Sequence, residues 1–131
     1  MVEISSITPS SGGGSQQFNI STFPFTWVQF FEAGNGTADT QGHYSMGGAS
    51  IASGTLRQFC RATFADTTGV KSYSSNSKAI LHMRRDSGTI TNVNDGTVTS
   101  LSDNLGGGQY GLTINFAASV NNFSIGIMFG D

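Results

Sequence analysis

The sequence predicts an all-β fold, an antiparallel β-sandwich of jelly-roll type, on three observations. Apolar and polar residues alternate with period two in several runs, as they do on strands with one buried face. Helical periodicity is almost absent, because Gly or Asn interrupts nearly every window long enough to hold a helix. Between the runs lie Gly-, Asn-, Asp- and Ser-rich segments at the short spacing of sandwiches, with no helical crossovers.

In chain order, "VEISSI" (Val2 to Ile7) is the first expected strand, and the Gly/Ser-rich "PSSGGGS" after it reads as a flexible link. Residues 1–15 are therefore expected to be an extended N-terminal arm and link, with Val2, Ile4 and Ile7 able to pair with a neighbouring subunit, and residues 16–131 a single sandwich domain. "QQFNI" presents Phe18 and Ile20, while "FTWVQFF" (Phe25 to Phe31) is apolar on both parities, which predicts a strand buried on two sides. "RQFCRATFA" sets Cys60, Ala62 and Phe64 on one face and Arg57 and Arg61 on the other. "KAILHMRR" places Ala79, Leu81 and Met83 opposite Ile80, His82 and Arg84. "QYGLTINFA" sends Tyr110, Leu112, Ile114 and Phe116 inward, and "NNFSIGIMF" does the same with Phe123, Ile125, Ile127 and Phe129. Turns are expected at residues 9–15, 34–42, 47–54, 66–77, 86–88, 92–96 and 103–108.

A chain of 131 residues suits one domain with a hydrophobic core that needs neither disulfide nor metal. Ten Phe, three Tyr and one Trp are too many for a chain that never packs. With 11% charged residues and a net charge of -2, it lacks the clustered Lys and Arg that capture nucleic acid or an anionic membrane. So weakly charged a surface is expected to be covered in part by partner subunits. Cys60 stands alone, which excludes an intrachain disulfide and a cysteine zinc site and is compatible with a reducing cytoplasm. The N-terminus has no basic and apolar leader, and no stretch approaches a membrane span. The sequons at Asn19, Asn35 and Asn122 are of the kind that an Asn-, Ser- and Thr-rich chain produces by chance.

Gly106, Gly108 and Gly111 satisfy G-x-G-x-x-G, yet a strand follows where a dinucleotide fold needs a helix. Gly106, Gly107 and Gly108 are instead read as a hairpin tip between "GTVTSLS" and "QYGLTINFA". His43 and His82 are the only histidines, and neither has a carboxylate at the spacing of a metal motif such as H-E-x-x-H. His82 is expected to be structural or on the surface, and His43, beside Tyr44, to line a pocket or a subunit axis. The Asp residues sit mostly in expected turns, where they accept hydrogen bonds from their own loops. Glu3 and Glu32 are too far apart in sequence for an acid pair to be argued, and "NVNDGT" lacks the ligand spacing of a calcium loop. No G-x-S-x-G elbow occurs, and Cys60 reads as inert core. Arg57 and Arg61, with Arg84 and Arg85, are the one basic grouping, a ridge for another subunit's carboxylate if their strands are neighbours. No catalytic residue, metal or cofactor is expected.

The order of segments, "FPFTWVQFFEAGNG", "HYSMGGASIASGTLRQFCRATFAD", "SNSKAILHMRRDSGTI", "GTVTSLSDN" and "YGLTINFAASVNNFSIGIMFGD", resembles a β-sandwich module of tailed-bacteriophage structural proteins. The resemblance runs from Phe23 to Asp131 and departs from the family at Gln29 and at the expanded bend of Asn104 to Gln109. It implies a non-enzymatic virion protein assembled in the host cytoplasm, and above all a capsid decoration or cement protein. Such a protein would form a homo-oligomer, with a trimer as the expected symmetry, and contact the major capsid protein or another virion protein. A single-domain chain beginning at Met1 is expected to leave no room for the shaft of a tail fibre. The alternative is a receptor- or glycan-binding tip of a tail fibre or spike, with contacts at His43, Tyr44, Tyr73, Asn104, Gly106, Gly107, Gly108 and Gln109.

Overall fold

The computed structural model describes residues 1–10, 12–35, 42–86, 88–118 and 124–131. Among the described residues, ten strands run in the order β1 (Val2–Ile7), β2 (Gly14–Ser21), β3 (Trp27–Asn35), β4 (Gly42–Ala52), β5 (Thr55–Asp66), β6 (Gly69–Ser75), β7 (Ile80–Asp86), β8 (Thr89–Gly106), β9 (Gln109–Phe116) and β10 (Ile125–Gly130). They form a six-stranded sheet in the order β1-β10-β3-β4-β5-β6 and a four-stranded sheet in the order β2-β9-β8-β7. Every pairing is antiparallel. The all-β sandwich expected from the period-two runs is the fold observed.

Strand alternation fills the space between the sheets. Val28 and Phe30 of β3, Ile125, Ile127 and Phe129 of β10, and Val98, Leu112, Ile114 and Phe116 of β8 and β9 share one core, and Phe25 packs its ring 5.3 Å from that of Phe129. Cys60, Ala62 and Phe64 of β5 meet Leu81, Met83 and Ile90 in a second, smaller cluster.

The sheets come into close contact where β4 passes the start of β7. A Cβ added to Gly47 would lie 1.9 Å from the carbonyl oxygen of Ala79, so backbone packs directly on backbone there. Gln58 of β5 spans the same gap: its amide donates to the Val98 carbonyl at 3.3 Å and its carbonyl accepts from the Val98 N–H at 2.9 Å. β7 pairs with β8 only as far as Gly96, so the side chain supplies the ladder partners that Val98 lacks beyond the end of β7. At a register shift of β8 Ser102 adopts φ 58°, and its hydroxyl accepts the Phe25 N–H at 2.9 Å.

Several expectations are corrected. The segment 1–7 is no free arm, because β1 pairs along its length with β10 and Ile7 enters the core. β3 is buried on one face only: Phe31 points outward and is 37% exposed. Residues 47–52 extend β4, their glycines serving close packing and not a bend. Residues 69–75 form β6, an edge strand whose side chains are almost all exposed, so no alternation marked it. Residues 92–96 and 103–106 lie within β8, which stays a strand through 18 residues by absorbing bulges. Of the turn expected at 34–42, residues 36–41 lie outside the described residues, as does Phe123.

The hairpin tip is where the sequence puts it. Gly106 pairs with Gln109 across Gly107 and Gly108, whose φ values of 60° and 76° belong to a two-residue turn open to few other residues. Asn104 Oδ1 accepts the Gly106 N–H at 2.9 Å and steadies the approach.

The Gly47 contact makes a direct prediction. Gly47→Ala is expected to destabilise the fold by about 3 kcal/mol or more in urea denaturation, since a backbone carbonyl cannot rotate away as a side chain would. Stability within about 0.5 kcal/mol of the unsubstituted protein would contradict the close approach.

Candidate functional site

Three polar side chains converge between the sheets. On β3, Glu32 shares the inward parity of Val28 and Phe30, and on β4, His43 shares that of Ser45, Gly47 and Ala49. The β3–β4 register pairs Glu32 with Ser45 and Gly34 with His43, which brings the two functional groups side by side. His82 arrives from the opposite sheet on β7, one step before a register shift and in line with buried Ile80.

Glu32 Oε1 contacts His82 Nδ1, and Glu32 Oε2 lies 3.3 Å from His43 Nε2. The imidazole centroids are 5.2 Å apart and nearly perpendicular, at 69°. Glu32 and His43 side chains are each 4% exposed, whereas His82 is 17% exposed and faces the rim. Burial, the strongest single influence on Glu32, opposes its ionisation. The close approach of His43, the hydrogen bond with His82 and the charge attraction of both imidazoles outweigh it and hold the carboxyl below its usual 4.5. Glu32 Oε2 and both ring nitrogens of His43 are buried without a hydrogen-bond partner of proper alignment. Each such atom costs about 1–3 kcal/mol if it stays so. One carboxylate oxygen and two imidazole nitrogens, all within 4.8 Å of one another, are also a donor set for a divalent metal.

Spacing along the chain concealed this cluster, since no two of its residues are close in sequence. Parity gave no clear signal either: the apolar run before Glu32 occupies both parities, His43 lies beside an expected turn, and His82 shares its parity with Arg84, opposite Ala79, Leu81 and Met83. His43 and Tyr44, adjacent in sequence, point to opposite faces of β4 and so cannot line one pocket.

The outward face of the six-stranded sheet is the second candidate. Cross-strand rows place Ile4, Met128, Gln29, Gly48 and Phe59 side by side, with Gly126, Phe31, Met46 and Arg61 in the next row. Phe59 and Tyr44 are each 53% exposed and Ile4 is 81% exposed. Because Gly48 has no side chain, a groove of about 290 Å³ opens over it between Trp27, Gln29, Arg57 and Phe59.

Of the remaining candidates, Val2 and Ile4 are exposed on this face, whereas Ile7 is core. Arg57 and Arg61 lie on it too, but β5 and β7 belong to different sheets, so they form no ridge with Arg84 and Arg85 along paired strands. The side chains of Arg84 and Arg85 lie outside the described residues. Tyr73 sits on edge strand β6 and is 39% exposed, apart from the hairpin on the other sheet, where Asn104, Gly106, Gly107 and Gly108 are exposed and Gln109 is half-buried. Cys60 is buried, and burial together with the nearby Asp95 carboxylate pushes its thiol up to about 11, which suits core and not chemistry. Asp66 caps its own turn by accepting from the Thr68 N–H at 2.7 Å, whereas Asp103 joins strands by accepting from Ser100 and Thr113 at 2.8 and 2.9 Å.

Comparison of the chain with protein-family models, curated proteins and solved structures finds no match.

The lowered Glu32 carboxyl favours the ionised form in the folded state, so its stabilisation is fully present above its ordinary value of 4.5 and is lost as pH falls through the folded value. In chelator-containing buffer, Glu32→Gln is expected to cost about 2 kcal/mol at neutral pH and to flatten the fall in stability as the pH drops through and below 4.5. Parallel pH profiles for the two proteins would show that Glu32 carries no such linkage.

Proposed function

We propose that this protein is a non-enzymatic assembly subunit that stabilises a larger particle by burying the outward face of its six-stranded sheet against neighbouring subunits. The observation that carries the reading is the contiguity of Ile4, Phe31, Tyr44, Met46 and Phe59 across paired strands. Scattered exposed apolar residues are ordinary, but a cluster of them gathered on one sheet face marks an interaction surface. Arg57 and Arg61 stand within it, and the described outward residues of β3, β4 and β5 include no carboxylate, so a complementary partner supplies acidic groups. The outer edge of β1 adds a row of backbone groups open to strand pairing.

The strand-order resemblance to tailed-phage structural modules supports a virion as the particle, capsid decoration as the role and a trimer as the symmetry. A receptor- or glycan-binding module is the second reading, favoured by the groove over Gly48, where Trp27 and Phe59 offer rings for a sugar to stack on and Gln29 and Arg57 offer donors.

A Met46→Asp/Phe59→Asp variant is expected to keep the far-UV spectrum and melting behaviour of the unsubstituted protein while losing its self-association in light scattering and its occupancy on particles. An unsubstituted protein that is monomeric and absent from particles by electron microscopy would overturn the assembly reading. A glycan array that retains only the unsubstituted protein, and not a Trp27→Ala variant, would favour the second.

A further inference from the structure

We infer that Glu32, His43 and His82 form a binding site for one divalent transition-metal ion of the zinc class, joining the two sheets of the sandwich. The inference is independent of the assembly reading, since the cluster lies between the sheets and the apolar field on the outside.

Donor chemistry and placement carry it together. Two imidazole nitrogens and a carboxylate oxygen suit zinc and its transition-metal neighbours, whereas magnesium and calcium prefer all-oxygen surroundings. Tetrahedral zinc with bonds of about 2.0–2.1 Å holds its donors roughly 3.3 Å apart, the separation already present between Glu32 Oε2 and His43 Nε2 at 3.3 Å. His82 lies in contact with Glu32 and, at 17% exposed, is the least buried of the three, so it is the side chain that shifts to admit an ion between them.

The second observation is the lack of satisfaction inside the cluster. Glu32 Oε2 and His43 Nε2 and Nδ1 are buried without aligned hydrogen-bond partners, on side chains 96% shielded from solvent. Ordinary core histidines and glutamates have such partners. An ion bound to Glu32 Oε2 and His43 Nε2 satisfies two of these three atoms by coordination. Three protein donors leave a fourth position for water at the rim beside His82. Because Glu32 and His43 come from one sheet and His82 from the other, the ion cross-links the layers and binds the folded chain alone, raising its stability by mass action.

The test uses the full chain stripped with chelator and then titrated with Zn²⁺, Co²⁺ or Mg²⁺. Zinc is expected to bind with one ion per chain in calorimetry and to raise Tm by about 10 °C at a concentration 100-fold above its Kd. Cobalt is expected to give the intense visible bands of a low-coordinate nitrogen–oxygen site, and magnesium no shift. His82→Ala, at the least buried of the three positions, preserves the fold by circular dichroism and weakens zinc binding at least about tenfold. His43→Gln tests the buried ligand in the same way, with its metal-free Tm separating misfolding from lost coordination. No zinc-dependent shift, an equal shift with magnesium, or equal zinc affinity in a folded His82→Ala protein would each overturn the site. None of these outcomes bears on oligomerisation by the outer face.

Discussion

Backbone-to-backbone contact at Gly47 governs how the two sheets of this protein meet. Sheets in a sandwich ordinarily stand about 10 Å apart with side chains filling the gap. Here the Ala79 carbonyl occupies the place a Cβ of residue 47 would take, so β7 leans onto β4 and β5. Leu81 and Met83 thereby reach Cys60, Ala62 and Phe64, and His82 reaches Glu32 and His43. Gln58 performs a related task nearby by bonding both the N–H and the carbonyl of Val98 across the gap. A polar side chain that acts as a piece of strand keeps the backbone groups of Val98 paired where β7 no longer reaches.

The two faces of the larger sheet obey different rules. Its inward face closes on β7, β8 and β9 and holds the buried apolar residues together with one polar cluster. Its outward face mixes aromatic and aliphatic side chains with two arginines, a composition suited to a surface that is covered part of the time. Gly48 and Gly47 are neighbours with opposite duties: Gly47 admits β7 on the inside, and Gly48 opens the groove beneath Phe59 on the outside. Strand alternation alone therefore gives a Gly-Gly pair both a packing role and a surface role.

Edges tell a consistent story. The four sheet ends are β1, β6, β2 and β7, and they are not equally protected. β6 carries Lys71, which reaches the Ile90 carbonyl at 3.3 Å, while β1 has neither lysine nor proline and exposes Val2 and Ile4. An unguarded edge next to an apolar field concentrates the features that favour protein contacts on one side of the molecule.

Much of this was legible in the residues. The period-two runs of β9 and β10 marked their buried faces, and the glycines 106–108 marked a hairpin tip, because side-chain direction in a strand and positive φ in a tight turn are local properties. β6 was illegible because both its faces are exposed, and β8 because bulges broke its alternation at Thr99 and Ser102. "FTWVQFF" suggested double burial, since an apolar outward residue looks the same whether another sheet or a partner covers it. By itself, the sequence determined the fold class and the strands with one dry face, but not the inward direction of Glu32, His43 and His82. Only the tertiary structure decided that these three meet, because the approach of β7 to β4 is set by packing between residues distant in sequence, for which no local spacing can stand in.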